Sequence, residues 1–274
     1  MISIVTPCFN VIKEGREESF HKMMKSVHQQ SFKNIEHIVV DNDSNDGTDK
    51  ILKTYLEKGW ITKLVQENKR GIYPAMNAGL SLVQGEFVNI MNTDDYFSDL
   101  GYLGQAVEMF NDGEIDFVHA DRLIKSRLGN PDTIKKGNEL QAYFRMPFRH
   151  QTMLVKKDIF DDVGLFDENY QICADYKWVL QMLLAGKKGY YLPKVVVYSL
   201  DGGASSNREK CIEEVTQVLY ECYGQKYGLT LDDCQNIYLR KISDELLSKI
   251  VSQISNKKIV KSLKYCYESE KKLK

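Results

Sequence analysis

Nowhere does this chain approach ~18 consecutive apolar residues, so no segment of it reads as a membrane-spanning helix. Proline is scarce, with 5 in 274 residues, and the remaining composition is 43% hydrophobic and 27% charged. That excludes a disordered or low-complexity chain and fits one large globular domain, or one domain with an appendage. A net charge of −1 leaves no basic footprint for nucleic acid. The six cysteines form no C-x-x-C pair and no zinc-like spacing, which fits reduced thiols. No basic n-region or long apolar h-region precedes ISIVTPCF, so a cytoplasmic setting is expected. Two phosphate-binding signatures are also missing, G-x-x-x-x-G-K-[ST] and G-x-G-x-x-G after the first strand. A phosphotransferase with an aspartyl nucleophile would need an acid where PCFN stands. These absences leave a metal ion as the main means of holding an anionic substrate.

What is present alternates between strand and helix patterns. ISIVT (2–6), IEHIVVD (35–41), ITKLVQ (61–66), EFVNIMN (86–92) and IDFVHAD (115–121) read as strands. Between them, residues 17–30, DKILKTYLEKG and YPAMNAGLSLVQG read as helices, the last with Pro74 in its first turn and closed by Gly85. This order predicts an α/β fold with a mostly parallel sheet and flanking helices, whose ligand lies off the carboxyl ends of the strands. At those ends stand TPCFN, DNDSNDGT and NTDD, so Asp41, Asp43, Asp94 and Asp95 gather off one edge of the sheet. Crowded carboxylates repel unless a cation joins them or one holds a proton. Hard cations such as Mg²⁺ or Mn²⁺ take oxygen ligands and share them with a diphosphate. Asp46 and Thr48, in contrast, suit a turn and a helix start.

Other segments leave two readings open. Lys69 and Arg70, beside Gly71, suit either a diphosphate or solvent. Asp175 stands in the first turn of a helix whose stripe is Trp178, Val179, Met182 and Leu183, where an acid also interacts well with the helix dipole. In DGGASS, Ser205 or Ser206 can touch phosphate, while Ser206 with Glu209 can equally form a capping box. Further on, Ile212–Val215–Leu219–Cys222 and Leu239–Ile242–Leu246–Ile250–Ile254 have helical spacing, with Thr230 and Asp233 as a capping box for the second. The tail from Asn256 holds seven Lys against two Glu, together with Ile259, Val260, Leu263, Tyr265 and Tyr267. Such a segment suits an anionic membrane face, with solvation, helix packing and dimerisation as competing readings.

VTPCFN, SVHQQSFKNIEHIVVDNDSNDGT, NKRGIYPAMNAG, NTDDYF and ADYKWVLQMLLAG, in this order and spacing, resemble the inverting family 2 glycosyltransferases. More narrowly, they resemble the branch that builds bacterial capsule and O-antigen polysaccharides. The resemblance covers about residues 1–206. It implies a GT-A fold, with a Rossmann-like nucleotide-sugar half (1–97) and an acceptor half (98–206); beyond it, the helical patterns make 207–274 a C-terminal helical extension. It matches Thr6 and Phe9 to the nucleobase, with Phe9 stacking, and Asp41 to the nucleoside pocket. Asn42 stands where relatives that read uracil often carry an acid. Asp94 and Asp95 match the metal and ribose motif, and Asn92 stands at the position of its first acid. Asp175 matches the general base, and His150 the acceptor or diphosphate side, beside its alternative as a structural histidine. The implied cofactor is Mn²⁺ or Mg²⁺. The implied partners are a nucleoside-diphosphate sugar, expected to be UDP-linked, and a saccharide or lipid-linked saccharide acceptor; peripheral contact at the inner face of the membrane is a reading of the basic tail alone. Two alternatives remain at this stage: a nucleotidyltransferase, whose glycine-rich loop is missing, and a non-catalytic sugar-nucleotide binder, which needs no base.

Overall fold

The computed structural model describes residues 1–68, 71–111, 113–126, 130–201 and 207–272. It divides into two compact units. One comprises Met1–Gly137, Phe148–Gln171 and Gly186–Asp201, and the other Asn138–Pro147, Ile172–Ala185 and Gly202–Lys274.

The first unit carries one sheet, built outward from β1 (Ile2–Cys8), all seven of whose residues are buried. Strand β1 pairs in parallel with β2 (Ile35–Asp41) on one side and β4 (Phe87–Ile90) on the other, and β3 (Lys63–Gln66) continues beyond β2. Helices α1 (Glu17–His28), α2 (Thr48–Glu57) and α3 (Ile72–Leu80) make the crossovers. In α1, Phe20, Met23, Met24 and Val27 fall on one face and are buried. The chain therefore winds from β1 to β3 in one direction and then returns to the far side of β1 with β4. That reversal is a topological switch point, and in open α/β sheets the ligand crevice lies at the carboxyl ends of the strands on either side of it, here β1 and β4.

Past β4 the sheet becomes mixed, with helices α4 (Tyr102–Asn111) and α5 (Ile159–Val163) among its connections. Strand β8 (Leu154–Lys156) runs antiparallel between β4 and β6 (Phe117–Lys125). Strand β9 (Gly189–Leu200) runs parallel to β6 and antiparallel to β5 (Tyr96–Phe97), and the short β7 (Thr133–Lys135) pairs with β6. None of β5, β7 and β8 exceeds three residues, too short for a periodicity to register in sequence.

Two glycines explain how α3 meets the sheet. A Cβ at Gly79 would stand 2.4 Å from Val5 Cγ1 and 3.1 Å from Val40 Cγ2, so only glycine lets the helix lie this close. Gly79→Ala is expected to lower stability by about 1–3 kcal/mol through overpacking, read as a fall in the urea midpoint at unchanged slope. Gly85 does not close that helix, which ends at Leu80. Its role is close approach to β1, since a Cβ there would meet Ser3 N at 2.7 Å and Met1 O at 2.8 Å. The Gly85 N–H also donates to the buried Glu36 carboxylate, which accepts from the Ser3 hydroxyl and pairs with Lys63 at 3.2 Å.

The second unit is helical. It contains a 3-10 turn (Glu139–Gln141), α6 (Ala174–Leu184), α7 (Arg208–Leu219), α8 (Leu231–Tyr238), α9 (Asp244–Gln253) and α10 (Lys257–Lys271). The capping box at Thr230 and Asp233 forms, but it opens α8. The long Leu239–Ile254 pattern is broken, because α8 stops at Tyr238 and Ser243 caps a new helix, α9. At the start of α7, Asn207 is the cap and accepts from Lys210 N, while Ser206 lies outside the described residues. In α10, Ile259, Leu263 and Cys266 are fully buried, so the apolar face of the tail packs inward and is not free for a bilayer.

Candidate active site

The switch point gathers the ends of three parallel strands. After β1, Phe9 is 46% exposed, available as a stacking face and not consumed by the core. At the end of β2, Asp41 is buried and held from both sides, accepting from Ser44 Oγ at 2.5 Å and from Gln66 Nε2 at 3.2 Å. Asn42 next to it donates to Gly71 O at 3.1 Å, fastening the strand end to the start of α3 (Ile72–Leu80). Asp46 accepts from Lys13 N, Thr48 N and the Thr48 hydroxyl, the structural role its turn chemistry suggests.

Thr6 is placed differently from its neighbours. It is fully buried in β1, and its hydroxyl hydrogen-bonds His37 Nε2 at 2.9 Å. In this arrangement its side chain ties β1 to β2. Burial pushes the His37 imidazole down to about 4, so the neutral ring is the folded form. Because the folded value is depressed below the usual 6.5, this contribution to stability is complete above about pH 6.5. It is lost as pH falls toward 4, by about 3 kcal/mol in all. Denaturant midpoints at pH 7 and pH 4.5 check this, and His37→Gln is expected to flatten the difference.

After β4 the chain turns through Asn92, Thr93, Asp94 and Asp95. Asp95 is buried and accepts from Gln151 Nε2 at 2.7 Å. Burial and the adjacent Asp94 charge push the Asp95 carboxyl up to about 6, against the Ser199 hydroxyl and the nearby Arg122 and His150. A cluster thus forms around Asp95, drawing Gln151 and His150 from the 3-10 turn His150–Thr152, Arg122 from β6 and Ser199 from β9. Arg122 stands just after a register shift in the β6–β9 ladder, where a bulge re-aims side chains, and its Nη1 reaches Ser199 Oγ at 3.3 Å.

Whether these residues suit a divalent cation can be judged from their donors. Asp94 and Asp95 are adjacent oxygen ligands, and Asn92 Oδ1 and Gln151 Oε1 are buried with no hydrogen-bond partner among the described residues. All are hard donors. No group of three or more His, Cys, Asp or Glu among the described residues could enclose a metal without help. The set therefore fits a cation whose remaining ligands come from a substrate, as Mg²⁺ shares phosphate oxygens.

Arg16 was not singled out by any sequence pattern. Its Nη2 donates to Phe9 O at 3.3 Å and its Nη1 to Thr93 Oγ1 at 3.5 Å, linking the β1 and β4 ends across the crevice. Gln151 and Arg122 were also not singled out as site residues, since their place beside Asp95 comes from parts of the chain far from it in sequence. Lys69, Arg70 and Ser205 lie outside the described residues.

Asp175 belongs to the second unit. It is nearly buried in the first turn of α6, and Oδ1 accepts from Tyr176 N at 2.8 Å. No side chain caps α6 at its own N-cap residue, Cys173. Instead the buried Glu214 of α7 accepts from both Ile172 N and Cys173 N at 2.9 Å, orienting the turn that carries Asp175.

Against known families, residues 3–166 match Glycosyl transferase family 2. The chain belongs to that family. This family 2 glycosyltransferase is 33% identical over 96 residues to glycosyltransferase GlyG of Streptococcus pneumoniae. It is 27% identical over 209 residues to the minor teichoic acid biosynthesis protein GgaB of Bacillus subtilis. Those alignments take in 35% and 72% of the chain, which spans only 30% of GlyG and 22% of GgaB. Among solved structures, S. aureus TarS superposes with a TM-score of 0.65 at 17% identity, over 99% of this chain and 53% of TarS. TarS 1–349 in complex with UDP-GlcNAc superposes at 0.63 and 17% identity, over 100% of this chain and 92% of that one. The mannosyltransferase PcManGT from Pyrobaculum calidifontis, in complex with GDP-Man and Mn²⁺, superposes at 0.61 and 16% identity, over 99% of this chain and 79% of its own. The expected GT-A fold therefore holds, and a nucleotidyltransferase is set aside.

Proposed function

We propose that the protein transfers a sugar from a nucleoside-diphosphate sugar, UDP-linked, to a hydroxyl of a saccharide or lipid-linked saccharide in bacterial surface polysaccharide synthesis. The observation that carries this reading is the set of side chains gathered at the strand ends of the switch point. In a family 2 chain, an exposed Phe9 and a buried Asp41 stand at the ends of β1 and β2, with Asp94 and Asp95 at the end of β4. The UDP and UDP-GlcNAc complexes of TarS support the choice of nucleotide, and GgaB's part in teichoic acid synthesis supports the product class.

In this reading Phe9 stacks on the base and Asp41 and Asn42 line the nucleoside pocket. Asn92 and Asp94 meet the ribose, and Asp94 with Asp95 would hold a divalent cation. Bound there, the cation would neutralise charge growing on the diphosphate leaving group. Lys69, Arg70, His150 and Ser205 serve the diphosphate and acceptor side. Asp175 accepts the proton of the acceptor hydroxyl as that oxygen bonds to the anomeric carbon. The bond from that carbon to the diphosphate oxygen breaks on the opposite face, and the electron pair leaves with UDP. One displacement inverts the configuration without a covalent intermediate.

The test incubates the protein with UDP-GlcNAc and other UDP-sugars in the presence of saccharide acceptors and follows UDP release, reading the new anomeric centre by NMR. A product of inverted configuration is expected. Retained configuration, or no turnover with any UDP-, GDP- or CDP-sugar, would overturn the reading. Phe9→Ala is expected to weaken UDP binding by about 1–3 kcal/mol, the usual worth of base stacking on an aromatic ring, measured by calorimetry.

A further inference from the structure

A concavity of about 600 Å³ lies in the helical unit, between α9 and α10. Its floor is apolar, formed by Leu140, Val251 and Ile254, and its wall carries Lys257, Lys261 and Lys264. Spacings of four and three residues put these lysines on one helical face, spread along ~10 Å of axis. Among the described residues, Glu268 is the single acid lining it. Two other lysines on these helices are paired, Lys249 with Asp233 at 2.6 Å and Lys271 with Asp244 at 3.2 Å. Lys257, Lys261 and Lys264 form no ion pair with any described residue. Val251, on the floor, is 47% exposed.

We propose that this cavity is a docking site for the phosphate headgroups of an anionic membrane surface. The lysine row supplies the charge complementarity, and the open apolar floor can take the glycerol and first methylenes that follow each phosphate, which a free inorganic anion lacks. The contact is peripheral, because no helix of the described residues is long and apolar enough to cross a membrane. Nor does it use the apolar face of α10, whose Ile259 and Leu263 are buried and whose Ser262 hydroxyl bonds Leu140 O at 2.6 Å. It is an electrostatic seat on a folded surface, and it stands whether or not the donor site binds UDP.

The test sediments the full chain with vesicles of equal phosphatidylglycerol and phosphatidylcholine, and with phosphatidylcholine alone. Binding to the anionic vesicles only, weakening with salt, is expected. The triple variant K257Q/K261Q/K264Q should lose on the order of 100-fold in affinity, at roughly a factor of five per lysine. The matched control K33Q/K50Q/K58Q, with the same change of net charge, should bind as the wild type. Thermal midpoints and UDP calorimetry on all three proteins show that folding and the donor site are intact, so failure here is separable from failure of the proposed reaction. Equal loss in both triples, or no binding to anionic vesicles, overturns the proposal. Displacement from vesicles by millimolar inorganic phosphate would instead make the cavity a soluble-anion site, and overturns it too.

Discussion

Asp175→Asn is expected to lower kcat by roughly 10²- to 10⁴-fold, the usual worth of a positioned general base, while leaving the dissociation constant for UDP unchanged. Asparagine keeps the shape and can still accept the Tyr176 N–H that Asp175 Oδ1 accepts at 2.8 Å, so the helix start survives. Only the ability to take a proton disappears. The pH profile supplies a readout that a structural role would not move, because the acidic limb of kcat should vanish in the variant. Loss of UDP binding together with activity would mean that Asp175 holds the fold or the donor. Retention of most of the activity would assign the base elsewhere.

Asp95→Asn should act in the opposite sense on stability and function. Burial and the Asp94 charge together make the Asp95 carboxylate costly, as its upward shift to about 6 shows. A neutral amide removes both costs and can still accept from Gln151 Nε2 through its oxygen. The thermal midpoint is therefore expected to stay or rise, while activation by Mn²⁺ weakens on the order of 100-fold or more, as for loss of a metal ligand or its close support. Strain retained at a site and relieved by substitution marks function over stability. A fall in midpoint with unaltered Mn²⁺ dependence would make Asp95 a structural residue.

How far the sequence reaches can be followed residue by residue. IEHIVVD and ISIVT were legible because buried parallel strands read as continuous β-branched runs, and α1 because Phe20, Met23, Met24 and Val27 repeat at helical spacing. The placing of Asp41 and the NTDD acids at strand ends was legible because apolar strand runs stop directly at them. Long-range partners were not. Gln151 reaches Asp95 across 56 positions, Arg16 reaches Thr93 across 77, and Glu214 holds the start of α6 across 41. No local pattern encodes those meetings. Thr6 shows the converse limit, for its place near the end of β1 leaves open that the hydroxyl turns inward to a buried histidine 31 positions away. In the tail, the same Ile259 and Leu263 suit a membrane face or a helix core, and only packing decides for the core.

The most direct measurement is calorimetric titration of UDP into the protein, once with Mn²⁺ and once with EDTA. Binding that is tight with Mn²⁺ and at least tenfold weaker in EDTA, with GDP and CDP weaker than UDP, is the expected result for a diphosphate seated through a cation on Asp94 and Asp95. Equal affinity in Mn²⁺ and EDTA, or no binding of any of the three nucleotides, would contradict it.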